Sequence, residues 1–529
     1  MRVVKPAVLR STRLSPSAPK LGVASATILL LLISHAAAQS IRIPWSNYGH
    51  DPQHAAISPV ASHPLGRILW QTPVDLNPQY SGNNLFIHYG SPVITRANTI
   101  IIPVKVGATD GFRVEGRNAT SGALKWAQST DYTLPAHNWV PSFSAALTPK
   151  NRLYFLGAGG TVYYRDNPDA TNGSTTGQIA FYGLANYNSD PATYQNNVRI
   201  NTPIAADRYG NIFFGFYVTG PTPLNLQSGI ARISYDGIGS WVAASTLAGG
   251  DSRIVKVVHN CAPALGNGHK ILYVAVSTAD PAHNANSGVG YLVSLDSRTL
   301  APISRVRLKD AKNPGNDALL FDDGTASPTV GPDGDVYFGV LENPLFSNHL
   351  RGWLLHFDST LTQSKEFGAF GWDDTASIVP AAMVPSYHGS SPYLLMTKYN
   401  NYVEGGGDGV NKVAILDPRD HMTDPISGAR VMKEILAIAG PTPDEQFRPD
   451  HPNAVKEWCI NTAAVDPTTK SVLVNNEDGR MYRWDLISNS LTETVTLTSG
   501  IGEAYTPTLV GMDGTAFAIN NATLFAIGQ

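Results

Sequence analysis

The sequence predicts an all-β protein, an eight-bladed β-propeller of four-stranded antiparallel blades. The 529 residues include 48 glycines and 37 prolines, which mark many turns, and a short strand–turn–strand phrase recurs eight times. Hydrophobic residues make up 43% of the chain and charged residues 15%, which provides for a large core and excludes intrinsic disorder. One such sheet cannot bury both of its faces, but eight sheets packed radially can.

The clearest copy of the phrase begins with the strand Ser327-Pro328-Thr329-Val330. A tight turn at 331–335 and a second strand at 336–339 follow, which together predict a β-hairpin. Two further copies keep this order, with first strands at 202–204 and 506–510. Weaker copies begin at Ser91, Ala145, Ala262, Ala376 and Thr462.

Most copies continue into a third strand that ends at an acidic turn, and a fourth strand then leads to the next copy. The last copy supplies only three strands, ending at 523–527, whereas 67–72 precedes the first copy as an unmatched strand. We therefore expect 67–72 to complete the last blade, which would protect its open edge. A β-solenoid or two stacked sandwiches are the alternative architectures.

The start of the chain is typical of a secretory signal peptide. Five basic residues precede the apolar run 21–33, which ends at the triplet Ala36-Ala37-Ala38 and is too short to span a bilayer. No cysteine directly follows the run, so a lipoprotein anchor is not expected. The predicted division is a signal peptide at 1–38 and one propeller domain at 39–529, secreted or periplasmic and without a membrane anchor.

The charge balance argues against a nucleic-acid partner. Lys and Arg number 38 against 41 Asp and Glu, a net charge of −3, and removal of the signal peptide would leave −8. A phosphate backbone or an anionic membrane would therefore not be attracted.

The two cysteines leave two interpretations open. In an oxidising compartment Cys261 and Cys459 could form one disulfide across the fold, or they could remain two buried thiols. No Cys/His cluster has the spacing of a structural zinc site.

The end of the first copy, Asn118-Ala119-Thr120-Ser121-Gly122-Ala123-Leu124-Lys125-Trp126, resembles a PQQ-type propeller repeat. The opening stretch 45–51, followed by Leu69-Trp70, is similar to the start of quinoprotein alcohol dehydrogenase-like domains. The resemblance covers nearly all of the chain after the signal peptide, although only the first copy carries the full phrase. The superfamily includes quinone-dependent dehydrogenases and non-catalytic binding scaffolds, so the resemblance implies the fold and leaves the activity open.

The loops that lead into the innermost strands of a propeller meet around its central channel. Here these loops carry polar, ionisable and aromatic residues, although the chain is poor in charge. They contain His88, His137-Asn138-Trp139, Arg199, His259-Asn260-Cys261, Asp322-Asp323, Trp372-Asp373-Asp374, Glu457-Trp458-Cys459, Asn461, Glu503 and Tyr505. Loops on a rigid scaffold are where ligand sites are usually built. We therefore predict that a small-molecule ligand or a protein partner binds at this face.

The same residues suggest two kinds of metal site. Calcium prefers six to eight oxygen ligands, and His side chains suit transition metals. The histidines His88, His137 and His259 lie on successive or near-successive blades. The oxygen-ligand candidates are Asp322, Asp323, Asp374, Glu503, Asn260 and Asn461.

The resemblance implies an alternative function, a PQQ- and calcium-dependent oxidoreductase acting on an alcohol or sugar. Such an enzyme needs a cation at the quinone, an aromatic platform and a carboxylate base. The family's adjacent Cys-Cys pair is missing from this chain. Cofactor-binding candidates are Trp372, Trp458, Arg199, His137 and Tyr505, and catalytic candidates are Asp373, Glu457 and His259. A second alternative is a hydrolase or lyase on a carbohydrate-like substrate, in which carboxylates and histidine act as general acid and base.

The stretch 418–457 is predicted to be an insertion, with a strand or short helix at 431–439 and a proline-rich loop at 440–452. Proline fixes φ and removes a backbone donor, so this composition favours a restrained loop. Because the stretch leads into Glu457 and Trp458, it would either overhang the channel as a lid or lie as a solvated surface loop.

Overall fold

The structure is a computed structural model that describes residues 43–82, 84–500 and 507–529. The predicted signal peptide, Glu503 and Tyr505 lie outside the described residues. Eight antiparallel sheets stand in a ring and form an eight-bladed β-propeller, which confirms the predicted fold. Within the described ranges, no helix is both long and apolar enough to cross a bilayer.

We number the blades in the order of the repeat copies and give the strands of each blade from the channel outwards. Blade 1 comprises Val93–Ile94, Thr99–Lys105, Phe112–Asn118 and Leu124–Thr130. Blade 2 comprises Ala145–Leu147, Arg152–Leu156, Thr161–Asp166 and Thr176–Ala180. Blade 3 comprises a broken inner strand, Val198–Ile200 and Ala205–Ala206, then Ile212–Val218, Gly229–Ile233 and Gly239–Ala243. Blade 4 comprises a broken inner strand, Lys256–Val257 and Ala264–Leu265, then Ile271–Ser277, Gly290–Asp296 and Pro302–Arg307.

The second half of the ring follows the same plan. Blade 5 comprises Thr329–Val330, Val336–Val340 and Trp353–Phe357. Blade 6 comprises Ser377–Pro380, Tyr393–Tyr399, Lys412–Thr423 and Arg430–Ala439. Blade 7 comprises Ala464–Asp466, Ser471–Asn476, Arg480–Asp485 and Ser490–Thr496. Blade 8 comprises Leu509–Val510, Ala516–Asn520, Thr523–Gly528 and Arg67–Pro73.

A few short elements connect the blades. Ser287–Gly288 and Leu320–Phe321 form a small separate ladder. The α-helices are Leu184–Ser189, Pro191–Asn197 and Ala244–Leu247. The 3₁₀ turns are Ala158–Gly160, Pro281–His283, Ala381–Met383 and Val403–Gly405.

The ring closes as the sequence predicts. Arg67–Pro73 pairs antiparallel with Thr523–Gly528 and becomes the outer strand of blade 8. The Trp70 ring packs against Phe517, and its Nε1 donates to Ala119 O at 2.9 Å. A strand from the start of the domain therefore covers the edge that the last copy leaves open.

Two blades depart from the expected plan. The fourth strand of blade 5 is reduced to isolated bridges, at Leu354–Gly368 and Phe357–Ser364. The predicted insertion at 418–457 is wrong in its first half, because 418–439 belongs largely to a long hairpin whose strands pair across blade 6. Only 440–457 forms a loop, with a single bridge from Pro443 to Val455.

The core lies between neighbouring blades. Thr99–Lys105 and Tyr393–Tyr399 are buried at every position. Strands covered on both faces read as continuous apolar runs rather than as alternating patterns. The outer strands are partly exposed, and Leu124–Thr130 shows this clearly.

The segment 45–58, which we call the axle, closes one end of the channel. Backbone N–H groups from seven inner strands donate to it over 2.6 to 3.0 Å, each from a residue in the last part of its strand. The donors Ile94, Leu147, Ala206, Leu265, Val330, Ile378 and Val465 pair in turn with Trp45 O, Ser46 O, Asn47 Oδ1, Pro52 O, Gln53 O, Ala55 O and Ala56 O. The sequence resemblance covered part of this segment, but nothing in the residues indicated its position.

Tyr48 extends from the axle along the channel. Its hydroxyl lies 3.2 Å from Thr325 O and 3.0 Å from Thr375 Oγ1, and it also donates to Asn461 Oδ1. These three residues precede the inner strands of blades 5, 6 and 7. Burial raises the pKa of Tyr48, so the phenol stays neutral.

We expect Asn47→Ala to destabilise the whole ring. The change removes the acceptor of the buried Ala206 N–H, and an unsatisfied buried donor costs about 1–3 kcal/mol. Urea unfolding should show this loss of free energy of unfolding, whereas Asn172→Ala in an exposed turn should change little. Equal midpoints for the two variants would contradict the role of the axle.

Candidate functional site

The loops that lead into the inner strands, here called inner loops, meet at the channel end opposite the axle, which we call the mouth. Asn260 in the inner loop of blade 4 joins three other loops. Its Oδ1 accepts from Ser142 N at 2.8 Å, and its Nδ2 lies 3.1 Å from Asp322 O and 3.4 Å from His88 Nδ1. These partners belong to blades 2, 5 and 1, so the predicted convergence of loops is present among the described residues.

His259, a predicted catalytic residue, is held as a neutral imidazole. Its Nδ1 lies 2.9 Å from Asn201 Nδ2 and its Nε2 lies 3.1 Å from Ala136 O, so Nδ1 accepts and Nε2–H donates. Burial lowers the pKa of His259 to about 4, and burial also lowers the pKa of His88 to about 4. Both side chains are therefore uncharged at neutral pH, and both ring nitrogens of His259 already have partners.

Three buried lysines neutralise aspartates of the mouth, and the sequence analysis missed all of them. The available signal was a single lysine within an apolar strand, such as Lys398 within Tyr393–Tyr399. A buried ammonium group needs a partner, because its desolvation is costly. The Nζ–Oδ pairs are Lys105–Asp75 at 3.1 Å, Lys256–Asp322 at 2.6 Å and Lys398–Asp373 at 2.7 Å.

The aspartates that precede blade 6 have different environments. Asp373 bonds to Lys398, and although burial alone would lower the pKa of this lysine, the charge of Asp373 raises it. Asp374 accepts from Thr397 Oγ1 at 2.6 Å and from Lys398 N at 3.0 Å. Burial raises the pKa of Asp374 to about 7. Asp373 is therefore compensated as an anion, while Asp374 gains a proton near neutrality.

The inner loop of blade 2, residues 133–141, crosses the mouth, and we call it the strap. Asn138 Nδ2 and Trp139 N donate to the two carboxylate oxygens of Asp323 at 3.0 and 3.1 Å. The Trp139 ring contacts Phe86 and His88, with centroid distances of 4.9 and 5.3 Å. Asp323 therefore contacts the strap rather than the other predicted metal ligands.

Other predicted site residues lie apart from this network. Arg199 donates from Nε to Leu134 O at 3.3 Å and from Nη1 to Gln195 O. His137 is exposed, and the half-buried Trp372 donates from Nε1 to Leu350 O at 2.6 Å. Trp458 is fully buried in the core beside Tyr482, with ring centroids 5.8 Å apart.

The remaining candidates lie near blade 7 and around the axis. Glu457 is half-buried, and its carbonyl accepts from Glu477 N at 2.9 Å. Asn461 binds the Tyr48 hydroxyl within the channel. Cys261 is a buried free thiol, so the structure contains no Cys261–Cys459 disulfide.

The metal predictions gain no grouped ligand set. Among the residues that the structure describes, no three His, Cys, Asp or Glu side chains come together as a set that could hold a metal ion. Glu503 falls outside that part of the chain, so a calcium site that uses it stays a prediction.

The described residues do not fit a PQQ cofactor. A quinone that carries carboxylates needs free cations, but the buried lysines of the mouth already face aspartates and Arg199 binds backbone carbonyls. Trp458, the proposed aromatic platform, has no exposed face. We therefore derive no hydride-transfer step.

We expect Lys398→Met to be strongly destabilising, because it leaves the buried Asp373 without its cation. Loss of one partner of a buried pair costs about 3–5 kcal/mol, and the double change K398M/D373N should recover part of it. The control Lys433→Met removes a half-exposed ion pair with Asp420 and should have little effect. Chemical denaturation measures all three variants, and equal losses for K398M and K433M would contradict this assignment.

The raised pKa of Asp374 predicts a pH-dependent contribution to stability. Between its ordinary pKa of 3.8 and its folded value of about 7, the folded protein binds a proton that the unfolded chain releases. This contribution is complete below about pH 4 and is lost as the pH rises to about 7, at no more than about 1.4 kcal/mol per pH unit. Asp374→Asn abolishes it, so wild type should lose stability relative to D374N over that window in urea titrations. Parallel curves for the two proteins would refute the prediction, and Asp408→Asn serves as the control.

Comparison with known proteins bears on the fold. No family model and no curated protein matches this chain. It is similar to the structure of a europium-containing methanol dehydrogenase, with a TM-score of 0.56 and 10% identity over 90% of this chain and 89% of that one. It is also similar to quinohemoprotein alcohol dehydrogenases from Comamonas testosteroni (TM-score 0.53, 10% identity, 93% and 82% covered) and Pseudomonas putida HK5 (0.51, 11%, 93% and 77%). The chain thus has the eight-bladed propeller fold of the quinoprotein alcohol dehydrogenases, as the resemblance of its first repeat copy implies.

Proposed function

We propose that this protein binds a small, uncharged, hydrogen-bonding ligand at the mouth of its channel. The observation that carries the proposal is the network around Asn260, in which the inner loops of blades 1, 2, 4 and 5 meet. A rigid ring that brings four distant loops together is the arrangement in which ligand sites are commonly built.

The charges of the mouth favour a neutral ligand. The buried aspartates Asp75, Asp322 and Asp373 are each paired with a lysine, and His88 and His259 are uncharged at pH 7. A charged ligand would lose its hydration without finding a free counter-charge. Hydroxyl and amide groups can instead exchange hydrogen bonds with these loops. The partly exposed rings of Phe86 and Trp139 add an apolar surface at the rim.

A protein partner at the same face is a second candidate. The chain around the start of blade 1 exposes several large apolar side chains at this end of the ring, and exposed apolar clusters often mark interaction sites. They are Leu76, Tyr80, Phe86 and Val106.

Export remains part of the proposal. An oxidising compartment would threaten reactive thiols, but Cys261 is only 1% exposed and burial raises its pKa to about 12. The thiol therefore stays protonated and inert.

A panel of neutral and charged probes tests the proposal by thermal unfolding. We expect at least one of glucose, maltose, ethylene glycol or acetamide to raise Tm equally at low and high salt, since a ligand held only by the native state stabilises it. Citrate and spermidine should give no shift. Asn260→Ala should abolish the shift, whereas Asn172→Ala should retain it. A shift produced only by charged probes, or by no probe at all, would count against the small-ligand proposal.

A further inference from the structure

We propose that the strap is a gate, which closes the mouth while Asp323 holds it and opens when that contact breaks. This inference rests on the proposed function, because it concerns access to the same site.

The path of the strap places it over the channel. It connects the outer strand of blade 1 with the inner strand of blade 2, yet its polar contacts lie in the inner loops of blades 4 and 5. In a ring of eight blades, a chain between blades 1 and 2 reaches those loops only by crossing the mouth. Its covering position therefore follows from the contacts themselves.

The two ends of the strap are fixed. Before it, Tyr132 is 2% exposed, and its hydroxyl donates to Ile200 O at 2.7 Å. After it, Ser142 N donates to Asn260 Oδ1, and Phe143 packs against Tyr132 with ring centroids 5.5 Å apart. These contacts form hinge points beside Pro135 and Pro141.

The middle of the strap is exposed and weakly held. Residues 136–138 are exposed, and Asp323 is only partly buried. The bonds from Asn138 and Trp139 to Asp323 can therefore be exchanged for bonds to water at small cost. The bond from His259 to Ala136 O is the third point of attachment.

The strap covers the residues on which the proposed site depends. His259 binds it directly, and Asn260 and Cys261 follow in the chain, each at most 5% exposed. A ligand that replaces hydrogen bonds of Asn260 would need the strap to move first. Cys261 gives a natural chemical reporter of that movement.

The test measures alkylation of Cys261 by N-ethylmaleimide in the full chain, with peptide mapping to separate it from Cys459. Asp323→Asn keeps the size of the side chain but replaces one acceptor oxygen with a donor that opposes the strap. We expect at least tenfold faster labelling of Cys261 in D323N. Amide exchange at Trp139, whose N–H donates to Asp323, should accelerate in the same variant.

Asp408→Asn is a matched control. Asp408 accepts from Asn401 Nδ2 at 2.6 Å and from Val410 N at 2.9 Å, the same pair of donor types, in a loop of blade 6. Unchanged Cys261 labelling in D323N, or equal acceleration in D408N, overturns the gate. Labelling needs no ligand, so the two proposals fail separately: faster labelling in D323N without binding of any neutral probe supports the gate and rejects the proposed function.

Discussion

The hydrogen bonds between the axle and seven inner strands are the constraint on which the rest of the molecule depends. An inner strand is a sheet edge that faces the channel, so its N–H groups have no strand partner on that side. The axle supplies acceptors for one such group in each of seven blades. It thereby sets the radial position of each inner strand, and the inner loops at the opposite end inherit that position. The convergence of Ser142, Asn260 and Asp322 is a result of this arrangement.

The chemistry of the mouth is governed by burial more than by the kinds of residue present. Carboxylates and histidines of the type used in acid–base catalysis are there, but Lys256 and Lys398 compensate two of the aspartates and His259 is neutral with both nitrogens bonded. Such groups are suited to holding loops and accepting polar contacts. Asp374 is the exception, because burial brings its pKa to about 7. The candidate site thus resembles a structured binding surface more than a set of free catalytic groups.

The sequence predicted the ring well, because turn residues and the recurring hairpin phrase are local signals. Closure by Arg67–Pro73 followed from counting strands, and the position of the inner loops followed from propeller geometry. The lysine partners, the axle and the contact of the strap with Asp323 depend on residues far apart in the chain, which no local pattern reveals. The hairpin of blade 6 was misread because an irregularity between Asp417 and His421 interrupts its strand pattern.

The strand order has a consequence for how the protein is made. The axle leaves the ribosome early, but its partners are synthesised one blade at a time, as late as Val465, and Arg67–Pro73 must wait for Thr523–Gly528. Nearly the whole chain has to be translated before the first-made segments can settle. Contacts this distant make acquisition of the native state slow, and an incomplete chain carries open strand edges that can pair wrongly. Release of the last blade from the ribosome, rather than formation of any single hairpin, is thus the step that completes folding.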